Sequence, residues 1–68
     1  MECVYKVIEI VGTSEDSWEK AAAAAVKRAS SSVRDLLIAE VSALDLHLND
    51  EGIALYRTKL KVSFKYED

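Results

Sequence analysis

The chain of 68 residues has no proline, one cysteine, one histidine and two glycines, and each scarcity narrows what it can be. A single cysteine, Cys3, cannot form a disulfide within the chain, so no covalent staple offsets the small size. One cysteine and one histidine, His47, are too few ligands for a structural zinc. Cys3 reads as a small, buried apolar thiol at the start of a strand, because no basic or helix-terminal neighbour is evident to activate it. No apolar run approaches the length of a membrane span, and no basic-then-apolar leader opens the chain. The expectation is a cytoplasmic protein with no membrane partner. A net charge of −3 gives no global attraction to nucleic acid, which is not expected as a partner either. The chain also lacks EF-hand spacing, a nucleophile–base pair, carboxylates at catalytic spacing and a glycine-rich phosphate loop, so an enzyme is not expected.

What remains is a hydrophobic half and a strong periodicity. Residues 1–68 read as one small globular domain, too short to be comfortable alone. Val4 to Val11 reads as a strand closed by Gly12. Val4, Ile8 and Ile10 lie on one of its parities and Tyr5, Val7 and Val11 on the other, the pattern of a strand covered on both faces. Thr13 to Ser17 forms a loop in which Asp16, with Glu19 at capping-box spacing, and Ser17 compete as helix N-cap. A helix follows to about Ser30. Trp18, Ala21, Ala22, Ala25, Val26 and Ala29 form one stripe on it, with alanines small enough for close packing on a sheet. Lys27 and Arg28 fall in its last turns, where the macrodipole favours cations. Val33 to Leu48 reads as a long or bulged strand, Asn49 to Gly52 as a four-residue turn, and Ile53 to Tyr66 as the last strand.

The pattern is therefore β-α-β-β, an α+β fold with a three-stranded antiparallel sheet on one helix. If Leu48 pairs with Ile53, then Leu37, Ala39, Val41 and Ala43 share the helix-facing side with Tyr56, Leu60, Val62 and Phe64. The opposite side then pairs Ile38 with Ser63, Glu40 with Lys61 and Leu44 with Arg57. The first strand most simply adds beside the third, in order 1-3-2 with a right-handed crossover. Leu36, Ile38, Leu44 and Leu46 fall on a side that the helix cannot also cover. More apolar sheet exists than one helix can bury, so the expected working object is an oligomer with ligand sites shared between subunits.

Two charged groupings invite a functional reading. Arg57, Lys59, Lys61 and Lys65 alternate along one side of the last strand: a solvated or salt-bridged row, or an anion site repeated by symmetry. Glu15–Asp16, Asp45 and Asp50–Glu51 read as caps, turns and solubilising charge, or as carboxylates that meet between subunits around a hard cation such as calcium. His47 near the hairpin reads as partly exposed, with a pH-sensitive contact as the alternative.

The stretch Tyr5 to Ser14, then Ser17–Trp18, Ala25–Val26 and Arg28–Ala29, resembles the first half of the dodecins; Ala39–Glu40–Val41 and Tyr56 to Tyr66 resemble the second half. The order and spacing of these short matches cover nearly the whole chain. The resemblance implies a sheet partly wrapped round its helix, a hollow homododecamer and a non-enzymatic role. Many dodecins hold flavins such as FMN, often in stacked pairs between subunits, and store or buffer them. The cofactor-binding positions carried over by this resemblance are Ile38, where the family has a flavin-stacking tryptophan; Arg57, where it has a glutamine at the ring edge; and Asp45, where some members have a basic residue for the phosphate. A second branch lacks the tryptophan and is linked to Ca2+, and this chain resembles that branch more closely. Sequestration of a flavin or related small ligand is the leading expectation. A calcium dodecin and a purely structural or interaction cage are the alternatives.

Overall fold

The computed structural model describes residues 2–66. Its elements are β1 (Tyr5–Ser14), α1 (Trp18–Ser32), β2 (Leu36–Asn49) and β3 (Gly52–Lys65), so the expected β-α-β-β order holds. The three strands form one antiparallel sheet in the expected order β1-β3-β2.

Local chemistry accounts for most boundaries. Ser17 is the N-cap, not Asp16: its hydroxyl accepts the Lys20 N–H at 3.1 Å. Asp16 forms instead an exposed ion pair with Lys20 one turn on, at 3.2 Å. The helix runs two residues past Ser30, to Ser32, since Ser30 and Ser31 turn their hydroxyls back onto helix carbonyls of Val26 and Arg28. That extension leaves Lys27 and Arg28 outside the last turn. Arg34 and Asp35 then reverse the chain, Asp35 with a φ of 60°, and β2 starts at Leu36 rather than Val33. The hairpin loop is shorter than four residues: Asn49 pairs with Gly52 across Asp50–Glu51. The Asn49 side chain accepts the Glu51 N–H at 2.9 Å, and Gly52 takes a φ of 122° that other residues rarely adopt.

Gly12 does not close β1. The strand continues to Ser14, and Gly12 is where the helix comes closest: a Cβ there would collide with the Ala21 carbonyl and lie 2.9 Å from the Ala25 Cβ. The alanine stripe serves that contact. Ala21, Ala25 and Ala29 are buried together with Leu60 and Val62, and Ile8, Ile10, Ala22, Val26 and Leu36 pack around them. Both parities of β1 are apolar as read, but only one is covered. Tyr5, Val7 and Val11 on the other remain about half exposed. Cys3 precedes the strand and is exposed, which corrects its reading as a buried thiol.

The register between β2 and β3 holds over part of the pair and slips at bulges, at Leu37 and Ser42 of β2 and at Ala54 of β3. Leu48 pairs with Ile53, Ile38 with Ser63, Ala39 with Val62, Glu40 with Lys61 and Val41 with Leu60. Irregularities at Leu36/Ile38, Val41/Ala43 and His47/Leu48 shift the rest by one. Between the last two, Leu44 faces Thr58 instead of Arg57, and Asp45 takes the place opposite Arg57. A one-residue shift turns every side chain over. Leu36, Leu44 and Leu46 therefore lie on the helix side, correcting the set Leu36, Ile38, Leu44 and Leu46 read as a single uncovered side; of the four, Ile38 keeps that assignment. Ala43 is displaced from the helix-facing row, opposite Lys59.

The surplus of apolar sheet is real. The subunit measures 53 × 20 × 16 Å, and a 15-residue helix spans about 22 Å of it. Val7, Val11, Leu37, Ile38, Val41, Leu44, Leu48 and Ile53 are all exposed.

Candidate ligand site on the outer sheet face

The sheet side turned away from α1 carries the odd-numbered residues of β3, namely Arg57, Lys59, Lys61, Ser63 and Lys65. Across β1 they meet Thr13, Val11, Glu9, Val7 and Tyr5; across β2 they meet Asp45, Ala43, Glu40 and Ile38. All three residues expected to bear a ligand, Ile38, Asp45 and Arg57, stand on this face in the strand pair β2–β3. The structure separates them into two places.

At one place Asp45 and Arg57 are joined. The Arg57 Nε donates to Asp45 Oδ1 at 2.8 Å, and Nη2 points at Oδ2 at 3.5 Å. The Lys59 ammonium approaches the same carboxylate at 3.7 Å. Next along the row, Lys61 lies between Glu9 and Glu40. Three carboxylates, Asp45, Glu9 and Glu40, thus stand among the four cations of β3, so the face is not a bare basic stripe. Ser42, the residue skipped between Val41 and Ala43, places its hydroxyl on the Lys59 carbonyl at 3.2 Å and so braces the shift.

On the reverse of the same segment stands the tryptophan. Its indole N–H donates to the Asp45 carbonyl at 3.1 Å, its ring meets Tyr56 edge-on at 5.2 Å and 80°, and its own carbonyl accepts the buried Thr58 hydroxyl at 2.8 Å. Trp18 is therefore a half-buried anchor on the helix side, as its place on the helix stripe implied. Trp18, Glu19, Ala22, Val41, Leu44 and Thr58 border an apolar groove there.

At the other place Ile38 is 64% exposed. It borders a cavity of about 140 Å³ with Tyr5, Leu37 and Ser63. Tyr5 is the one aromatic ring beside Ile38. The β1–β3–β2 order brings residue 5 next to residue 38. Lys59 was missed as a partner of Asp45; the signal for it lay in the bulge.

The fit to the two ligand classes can be tested on these residues. Ile38 offers dispersion contact but no π-face, and Arg57 is donor-only with its fork already engaged. For a hard cation, no three His, Cys, Asp or Glu side chains converge among the described residues. Glu15, Asp50 and Glu51 are exposed, and none forms an ion pair among the described residues. The hairpin and the β1–α1 loop lie toward one end of the sheet, since Ser14 pairs with Tyr56 and Asn49 with Gly52. No helix among the described residues is long and apolar enough to cross a membrane.

A helix laid across a three-stranded antiparallel sheet, with a charged and apolar outer face, defines a small α+β subunit. The family model described as Dodecin matches residues 4–67, and the chain belongs to the dodecin family. Calcium dodecin of Mycobacterium tuberculosis is 55% identical over 62 residues, covering 91% of this chain and 87% of that protein. The dodecin of Thermus thermophilus is 38% identical over 65 residues, covering 96% and 94%. Among solved structures, dodecin from Streptomyces davaonensis superposes with a TM-score of 0.90 at 32% identity over the whole of both chains. The crystal structure of the M. tuberculosis calcium dodecin, described as calcium chelating with a novel calcium-binding site, gives 0.86 at 53% identity over 94% and 91%.

Proposed function

We propose that the protein is a non-enzymatic binding dodecin that assembles with copies of itself into a homododecamer and takes up a hard cation, calcium, between subunits. The observation that carries the choice of cation over flavin is the condition of the three carried-over positions. Ile38 presents an exposed aliphatic side chain, and Arg57 is committed to Asp45. An aromatic sandwich would need rings on both sides, each worth about 0.5–1.5 kcal/mol beyond area burial, and Ile38 supplies none. The similarity to a calcium dodecin supports the same reading. Because carboxylates of one subunit do not converge, the cation site is shared, with Glu15, Asp50 and Glu51 as its donors. The uncovered apolar faces supply the reason for assembly.

Calorimetric titration of calcium into chelator-treated protein tests this. Saturable binding with a raised melting temperature is expected, together with unchanged fluorescence of FMN at micromolar protein. Quenching of FMN and a yellow purified protein without any calcium response would move the assignment to flavin storage, the leading expectation from family resemblance. That second reading has one observation in its favour, the Tyr5 ring beside Ile38. Ile38→Trp is expected to strengthen FMN binding by about tenfold; an unchanged affinity would mean that the outer-face cavity is not the ring site.

A further inference from the structure

We infer that Asp45, aimed by two bulges, one at Ser42 of β2 and one at Ala54 of β3, is a specificity-determining residue that closes a latent anion site formed by Arg57 and Lys59. This rests on the reading that small ligands meet the subunit on its outer sheet face, and it adds which charge class that face refuses.

The argument begins with the bulges. An undisturbed register puts Leu44 opposite Arg57 and turns Asp45 to the helix side. The irregularities at Val41/Ala43 and His47/Leu48 shift only the segment between them, and the shift exchanges the two residues. Bulges commonly re-aim one side chain at a functional position. Here the re-aimed side chain sits against two cations two residues apart on one strand face, about 7 Å along it. Without Asp45, an arginine fork and an ammonium would face outward together, the arrangement that grips a phosphate or diphosphate. With it, their charge is met by an internal carboxylate. The contribution to stability is small, because Arg57, Lys59 and Asp45 are each more than a third exposed and screened. The consequence is one of selectivity: an incoming anion must displace a carboxylate tethered in place, and it meets Glu9 and Glu40 beside Lys61 at the next position.

The substitution Asp45→Asn removes the charge and leaves the backbone carbonyl that holds the Trp18 indole. Inorganic pyrophosphate, titrated by calorimetry at low salt into the full assembled chain, is the probe. Asp45→Asn is expected to bind it at least about tenfold more tightly than the wild type. The gain should fall with added salt. It should disappear in Asp45→Asn/Arg57→Gln and be absent in Asp45→Glu, which restores the carboxylate. Trp18 fluorescence reports in parallel whether the segment keeps its place. Equal pyrophosphate binding by folded Asp45→Asn and wild type would overturn the inference. Asp45→Ser is the second neutral variant; if neither neutral variant folds, the residue is structural and the inference fails. Calcium binding is measured separately, so loss of the calcium reading leaves this outcome intact, and the reverse.

Discussion

β2 and β3 are both 14-residue strands paired along nearly their whole length, yet they live in different surroundings. β3 is flanked on both edges and buries Thr58, Leu60 and Val62 under the helix. In β2 no residue is buried, although it carries Leu36, Leu37, Ile38, Val41, Leu44, Leu46 and Leu48; only Leu36 and Asp45 are even partly covered. Hydrophobicity does not separate the two strands. Coverage does: the helix lies over β1 and β3, and β2 projects beyond it. An apolar strand that its own subunit leaves wet is the surface that the proposed assembly would cover with another copy.

The comparison can be broken hardest at the helix seat. Gly12→Val places a branched side chain into the Ala21 carbonyl and the Ala25 methyl, and should lift α1 from the sheet. Far-UV dichroism and a melting curve should show no cooperative folded subunit; a normal melt would mean that the close approach at Gly12 does not hold the helix. Next in size, Leu60→Ala should cost about 2–5 kcal/mol in denaturant unfolding. Leu37→Ala removes the same atoms from an exposed site and should cost under about 1 kcal/mol in the isolated subunit. Should the two variants prove equally damaging in the assembled protein, neighbouring copies cover β2 as fully as α1 covers β3. Thr58→Val, which leaves the Trp18 carbonyl without its hydroxyl partner, should lower stability by about 1 kcal/mol, less than Leu60→Ala. A neutral result would show that water takes over that carbonyl and that the helix start is less enclosed than its burial suggests.

Much of the fold could be read from residue order. The alanine stripe of α1 predicted its packed face, and Ala21, Ala25 and Ala29 are buried as a set. Period-2 alternation in β3 separated Leu60 and Val62 from Lys59 and Lys61, and the simplest placement of the first strand beside the third is the observed one. The ends of elements were less legible. Ser30 to Ser32 read as a stop, but serine can bond back to its own helix and let it run on. Gly12 read as a stop because glycine punctuates strands; here it serves a close approach instead. The candidate site was half legible. Ile38 and Arg57 fell on the correct face, whereas the Asp45 pair and the Tyr5 neighbour did not emerge.

What the sequence determined by itself is the order of elements, the buried stripe of the helix, the central register and an excess of apolar surface, because each is written in a local period or a count. What only the tertiary structure decided is which way residues 43–47 face. A bulge adds one residue without changing composition or average period, so the alternation reads equally well on either side of it. Whether Leu44 or Asp45 meets Arg57 depends on where the extra residue is absorbed. That is decided by the Ser42 hydroxyl on the Lys59 carbonyl and by Trp18 gripping the Asp45 backbone, contacts between segments far apart in the chain.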